Sequence, residues 1–308
     1  MKRILNLSLV CFFCSVFTPL SGAASQATSQ YATRTINIDK KFTGLQAQEA
    51  IEITYIQNTA KPAAVITAPK EIINEITYSI NNNGVLKFNL PKNKKNKGRI
   101  SIELNGGALF NYEASSSGLI TVTTPIKSVN PLNFAVSSSG EIIIMKDVDN
   151  GANTINVVVS SSGKMIFQRN VAGGYCNFAL SSSAMLKINS LISKYLNYSG
   201  SSVGILDIAS LKTDEANLNI ASGGGVNIEN ATIGVLRGLV SSGGEIICNK
   251  GKIQEVSLAA SSGANITIAG EAGEAELTAS SGGVINVSSM KIKKIKSKKE
   301  SSGGTIKL

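Results

Sequence analysis

Ala114-Ser115-Ser116-Ser117-Gly118 is the stretch that decides the fold, because the chain repeats it. Near-copies begin at Ser137, Ser160, Ser181, Ser201, Ala221, Ser241, Ser261, Ser280 and Ser301, spaced 19 to 23 residues apart. Self-similarity at a fixed short period marks a solenoid, in which each repeat buries its apolar face only against its neighbours. Five places into the ten copies stand Ile120, Ile142, Met165, Leu186, Leu206, Val226, Ile246, Ile266, Ile285 and Ile306. The column two residues on is also wholly apolar, from Val122 to Leu308. Apolar columns two residues apart are strand periodicity with one buried face. Columns three places and one place before the motif form a second alternating strand, beginning with Tyr112 and Ala114. A looser third position follows at Ile126, Val148, Val171, Ile192, Leu211, Ile233, Ile253 and Ile292. These columns predict an all-β chain: a single-stranded parallel β-helix of about ten coils, for which the crossover rule favours a right-handed turn.

The motif is expected at the corner between the two strands. Its second place is serine throughout: Ser116, Ser138, Ser161, Ser182, Ser202, Ser222, Ser242, Ser262, Ser281 and Ser302. Its fourth place is always Gly or Ala. If alternation continues through the corner, both columns point inward, and the serine hydroxyls satisfy backbone groups that a sharp corner orphans. A nucleophile elbow would need a histidine partner, and the chain has none.

Residues 1–23 read as a secretory signal peptide: a basic head, Lys2 and Arg3, an apolar run from Ile4 to Leu20, then small Ser21-Gly22-Ala23. A polar linker, 24–30, follows, and no later run reaches the length of a membrane helix. Residues 31–105 lack the period but alternate as strands, with a hairpin signal at Asn81-Asn82-Asn83-Gly84 and one helical turn in Pro69 to Asn74. They read as a β-rich cap on the open first coil of the β-helix, which occupies 106–308. Outward Leu119, Ile143 and Ile166 are apolar where later coils are polar, and predict the surface that the cap covers.

The formal net charge of +10 is concentrated in two runs, Lys92 to Arg99 and Lys291 to Lys299. Neither contains an aromatic residue for stacking bases, so the charge does not point to nucleic acid. Of the cysteines beyond the leader, Cys176 and Cys248 lie three coils apart, about 14 Å at the spacing of neighbouring strands, which excludes a disulfide. In the last copy Lys298 and Glu300 stand in columns held elsewhere by apolar residues or Gly, a charged device against pairing at that edge.

A segment such as Phe42-Thr43-Gly44-Leu45, Ile53-Thr54-Tyr55-Ile56-Gln57 and Asn83-Gly84-Val85-Leu86-Lys87-Phe88, followed by Ser-Ser-Gly coils, resembles the putative auto-transporter adhesin, head GIN domain family. The resemblance implies a β-helical protein exported by bacteria, common in Bacteroidetes, with a periplasmic, outer-surface or extracellular address and no catalytic residues to transfer.

Parallel β-helices also include polysaccharide-cleaving enzymes, whose sites cluster carboxylates, often with Ca²⁺, on adjacent coils. Here Asp147, Asp149, Asp207 and Asp214 share no outward column, and Glu141 and Glu245 lie five coils apart. No catalytic, cofactor-binding or metal-binding residue is expected. One outward column does stand out: Asn111, Asn133, Asn156, Asn177, Asn197 and Asn217, with Glu113 and Ser199 alongside. Stacked amides bond to one another along a solenoid, and the same row is a candidate ligand surface. The readings carried forward are an adhesive or ligand-binding module, for a glycan or a cell-surface protein, and a structural scaffold of the cell envelope. Polysaccharide cleavage is the weakest reading.

Overall fold

The computed structural model describes residues 30–92 and 98–308. The expected signal peptide and the middle of the first lysine run lie outside the described residues. Tyr31–Leu308 forms one compact unit. All its strands belong to one hydrogen-bonded sheet, which winds into a solenoid of parallel coils in which each motif lies beside the next. The two earliest serine coils each have three separate strands, the first being Asn111–Ala114, Leu119–Val122 and Ile126–Lys127. From Lys164–Leu180 to Asn265–Ala279 a single strand runs from one serine corner to the next, and the coil after it is split again into Val284–Asn286 and Met290–Glu300.

The apolar columns read from the sequence form the buried core, with Ile120, Ile142, Met165 and Leu186 all fully enclosed. Tyr112 and Phe134 stack at 5.0 Å, and Phe134 meets Phe167 edge-on at 5.4 Å, so aromatic rings tie three coils together. The third position differs from the sequence reading at Ile192, which is 48 % exposed while Leu191 is buried. Two inward columns share this side. One runs Val171, Leu191, Leu211, Ala231, Gly251, and the other Gly173, Ser193, Thr213, Ile233, Ile253. As the first shrinks the second grows, which conserves core volume as close packing demands. At the changeover the buried hydroxyls of Ser193 and Thr213 bond at 3.0 Å.

The corners overturn one expectation. The second-place serines point outward and are exposed, and their hydroxyls have no protein partner among the described residues. The reason is the backbone. Ser116 and Ser117 have φ of 48° and 61°, and the pattern recurs at every corner with Ser, Val or Gly in third place. Two successive left-handed residues, closed by Gly118 N–H donating to Ser115 C=O at 2.8 Å, make a tight primed turn. Such a turn breaks the alternation that would have aimed the serines inward. The corner satisfies itself with main chain: Ser117 N–H donates to Ser138 C=O of the next coil at 3.1 Å, and later coils repeat the bond. The fourth place is inward, as expected.

Val203 is the one β-branched residue among these left-handed positions, with φ of 66° and 52 % exposure. A left-handed L-residue costs about 1–2 kcal/mol, partly offset by the chain entropy that a glycine loses. Val203→Gly is therefore expected to raise the thermal midpoint, with a gain of about 0.5–1 kcal/mol. A lower midpoint would mean that the valine methyls contribute more by packing than the backbone loses by strain.

The N-terminal segment continues the stack instead of covering its side. Gly44–Ala47 and Ile51–Gln57 form a further coil against the first serine coil, pairing Ala47 with Ala114 and Ile53 with Ile120. Its corner also uses two left-handed residues, Glu49 and Ala50, without a serine. Val85–Asn89 and Ile100–Gly106 lie in parallel outside that coil. Thr77–Ile80, Ala63–Pro69 and Tyr31–Asn37 then pair antiparallel and close the end. The Asn81 to Gly84 hairpin forms, with Asn81 Oδ1 accepting from the amides of Asn83 and Val85. The helical turn is the short Ile73–Glu75 element. Because this end lies along the axis, it does not cover the face of Ile143 and Ile166 as expected. Leu119 has only Glu52 as its strand neighbour from this segment, and Ile166 lines an open trough. At the other end, Lys298 and Glu300 stand in register with buried Leu277 and Ala279 but are exposed, and Glu300 accepts the amide of Ile306.

Candidate functional site

Parallel, in-register coils set identical residues one above another at about 4.8 Å. This brings the six asparagines of the outward column into a single ladder. Asn133 Nδ2 donates to Asn111 Oδ1 at 2.9 Å, Asn156 to Asn133 at 2.9 Å, and Asn177 to Asn156 at 3.1 Å. Asn197 donates to Asn177 at 3.0 Å and Asn217 to Asn197 at 3.1 Å. Asn217 also donates to Glu215 Oε1 at 3.0 Å, and Arg237, next in the column, closes the row with an ion pair to the same carboxylate. An amide offers two N–H groups and two acceptor lone pairs. Each inner ladder member spends one of each on its neighbours, which leaves one donor and one acceptor per coil for another molecule.

Two columns flank the ladder. On one side Tyr175 and Tyr195 stack with centroids 5.0 Å apart and planes 14° from parallel, and Lys194 Nζ lies 5.4 Å from the centre of the Tyr195 ring. Tyr175 is 46 % exposed. On the other side run Ala135, Val158, Ala179 and Ser199, small or apolar, and then Asn219, all exposed. Val158, Ala179, Ser199 and the ladder residues Asn156, Asn177, Asn197 and Asn217 line a groove of about 540 Å³. Glu113 and Ser199 do stand beside the ladder as the sequence indicated, but Glu113 accepts a bond from Gln46 Nε2 at 3.0 Å. The tyrosine pair was missed in the sequence. It occupies the column six places before the motif, where Thr154, Glu215, Val235 and Glu255 hide any pattern.

Other chemistry-bearing residues are engaged in structure. Glu141 pairs with Lys164 at 3.2 Å, Asp207 accepts from Asn227 at 2.8 Å, and Asp147 Oδ1 accepts from Asn170 at 3.1 Å. Among the described residues no group of three or more metal-ligating side chains comes together. Cys176 and Cys248 are free and buried, and burial pushes their thiols up to about 12 and about 11. Among the described residues no helix is long and apolar enough to cross a membrane.

Several solved structures are similar over almost the whole chain. A putative adhesin from Parabacteroides merdae is 17 % identical, with a TM-score of 0.49, covering 91 % of this chain and 96 % of that one. A putative adhesin from Parabacteroides distasonis is 13 % identical, with a TM-score of 0.49, covering 90 % and 97 %. A putative lipid binding protein from Parabacteroides distasonis is 19 % identical, with a TM-score of 0.39, covering 91 % and 97 %. No curated protein matches. The family model described as "Putative auto-transporter adhesin, head GIN domain" matches residues 41–251, from the end coil through the ladder and its tyrosines, and the chain belongs to that family.

Proposed function

We propose that this protein is an exported, non-catalytic binding module of the cell envelope or surface, and that its ligand face is the asparagine ladder with Tyr175 and Tyr195. The observation that carries this reading is the row of half-spent amides beside an exposed aromatic pair, along a groove of about 540 Å³. A sugar presents hydroxyls that both donate and accept, and apolar ring faces that lie against aromatic side chains. Unspent amide donors and acceptors at every coil suit the first, and the tyrosines and Val158 suit the second. Among the described residues no charged one lines the groove, and Glu215 and Arg237 neutralise one another at the end of the ladder, which favours a neutral glycan. The exposed serine column serves the corner through its left-handed backbone and takes no part in binding.

The test is binding of the purified protein to an array of neutral glycans, followed by titration of the best one. Tyr195→Ala and Asn197→Ala are each expected to weaken binding at least about tenfold, or roughly 1.4 kcal/mol, while Asn227→Ala on another face leaves it unchanged. An array without neutral-glycan binding, combined with end-to-end association at rising concentration, would replace this reading with the envelope scaffold.

A further inference from the structure

A second trough lies on a different side of the stack from the asparagine ladder. A cavity of about 720 Å³ is walled by Lys212, Lys250, Lys252 and Glu271. A cavity of about 260 Å³ shares Lys252 and Glu271 with it and adds Lys291 and Lys293. The floor is small by necessity. A Cβ on Gly270 would lie 2.1 Å from the Gly251 carbonyl oxygen, and one on Gly273 would lie 2.5 Å from that of Gln254. All five lysines are exposed, and among the described residues none forms an ion pair. Lys294 and Lys296, a few residues further on, are by contrast both held by Glu274. Unpaired cations lining one groove focus a positive potential along it.

The spacing of the charges selects the ligand. Register sets Lys212, Thr232, Lys252, Glu271 and Lys291 in one row on successive coils. Lysines therefore recur every second coil, at about 9.6 Å given the spacing of neighbouring strands. Nucleic acid carries a charge about every 3.4 Å along each strand, far denser than this row, and a continuous phosphate line would cross Glu271. No aromatic residue lines the trough to stack bases. An extended polysaccharide with one acidic group per disaccharide spans about two coils between charges and presents an uncharged sugar to Thr232 and Glu271. We propose that this trough binds a linear acidic polysaccharide along the solenoid axis, with the carboxylates or sulfates of alternate sugars on Lys212, Lys252 and Lys291.

The experiment measures binding of the purified protein to hyaluronan, with one carboxylate per disaccharide, and to keratan sulfate, which carries sulfate and no carboxylate. Neutral dextran and single-stranded DNA are run alongside. Binding is expected to at least one acidic chain, weakening as salt rises. Replacing Lys212, Lys252 and Lys291 together by Gln should cost at least about tenfold. Replacing Lys146, Lys187 and Lys307, which removes equal charge outside the trough, should cost little. Glu271→Gln should tighten binding, and Tyr195→Ala should leave it unchanged, which separates this site from the ladder face. The proposal is overturned if neither acidic chain binds at low salt, or if the two triple variants lose affinity equally. Tighter binding of DNA than of either polysaccharide through these lysines would overturn it too.

Discussion

Phe134→Ala is expected to lower the stability of the protein by about 3–5 kcal/mol, the range for deleting a buried aromatic ring from a packed core. The ring is 1 % exposed and lies between Tyr112 and Phe167 on the adjoining coils, so its removal leaves a cavity in contact with three coils at once. A solenoid coil touches only its neighbours, which gives no distant part of the core a route to collapse into the gap. Chemical denaturation followed by circular dichroism measures the loss, and Phe134→Leu should lose distinctly less. A change below about 1 kcal/mol for the alanine variant would show that the neighbouring coils close the cavity.

Gly140→Val carries the other large effect, from the opposite cause. The fourth motif place faces inward at the corner, and a Cβ on Gly140 would lie 2.5 Å from both the carbonyl carbon and oxygen of Ala114. Those atoms are backbone of the preceding coil and cannot rotate aside. Ala184 and Ala264 occupy the same column, so a single methyl can be accommodated by small shifts. Two further methyls overpack the corner, for which about 3 kcal/mol is expected. The same denaturation experiment on Gly140→Ala and Gly140→Val checks this, with a steep step expected between them. Equal stability of the two would mean that adjoining coils separate at the corner without losing their ladder bonds.

The end coil shows how that steric rule hid part of the fold. Ile51 takes the place held by glycine or alanine in the serine coils, yet it is buried. On its outer side its register partner is Ile100, the first residue of the strand Ile100–Gly106, where the serine coils place the small fourth residue of the next motif. Without the Gly and the Ser, the coil formed by Gly44–Ala47 and Ile51–Gln57 carries no motif, and its alternation reads as cap strands.

What the sequence determined by itself is the repeat and its buried columns. A period of 19 to 23 residues with apolar residues two apart leaves one efficient burial, coils stacked in register. Once that register holds, the asparagine row follows, since identical outward positions must lie one coil above another. Three things were decided only by the tertiary structure. The outward direction of the serines depends on two successive left-handed residues, a backbone choice that neither polarity nor alternation encodes. The stacked tyrosines, and the lysines recurring on every second coil, depend on which residues register brings together on the outer faces. There the core exerts no selection, the columns are mixed in type, and no periodic signal remains to be read.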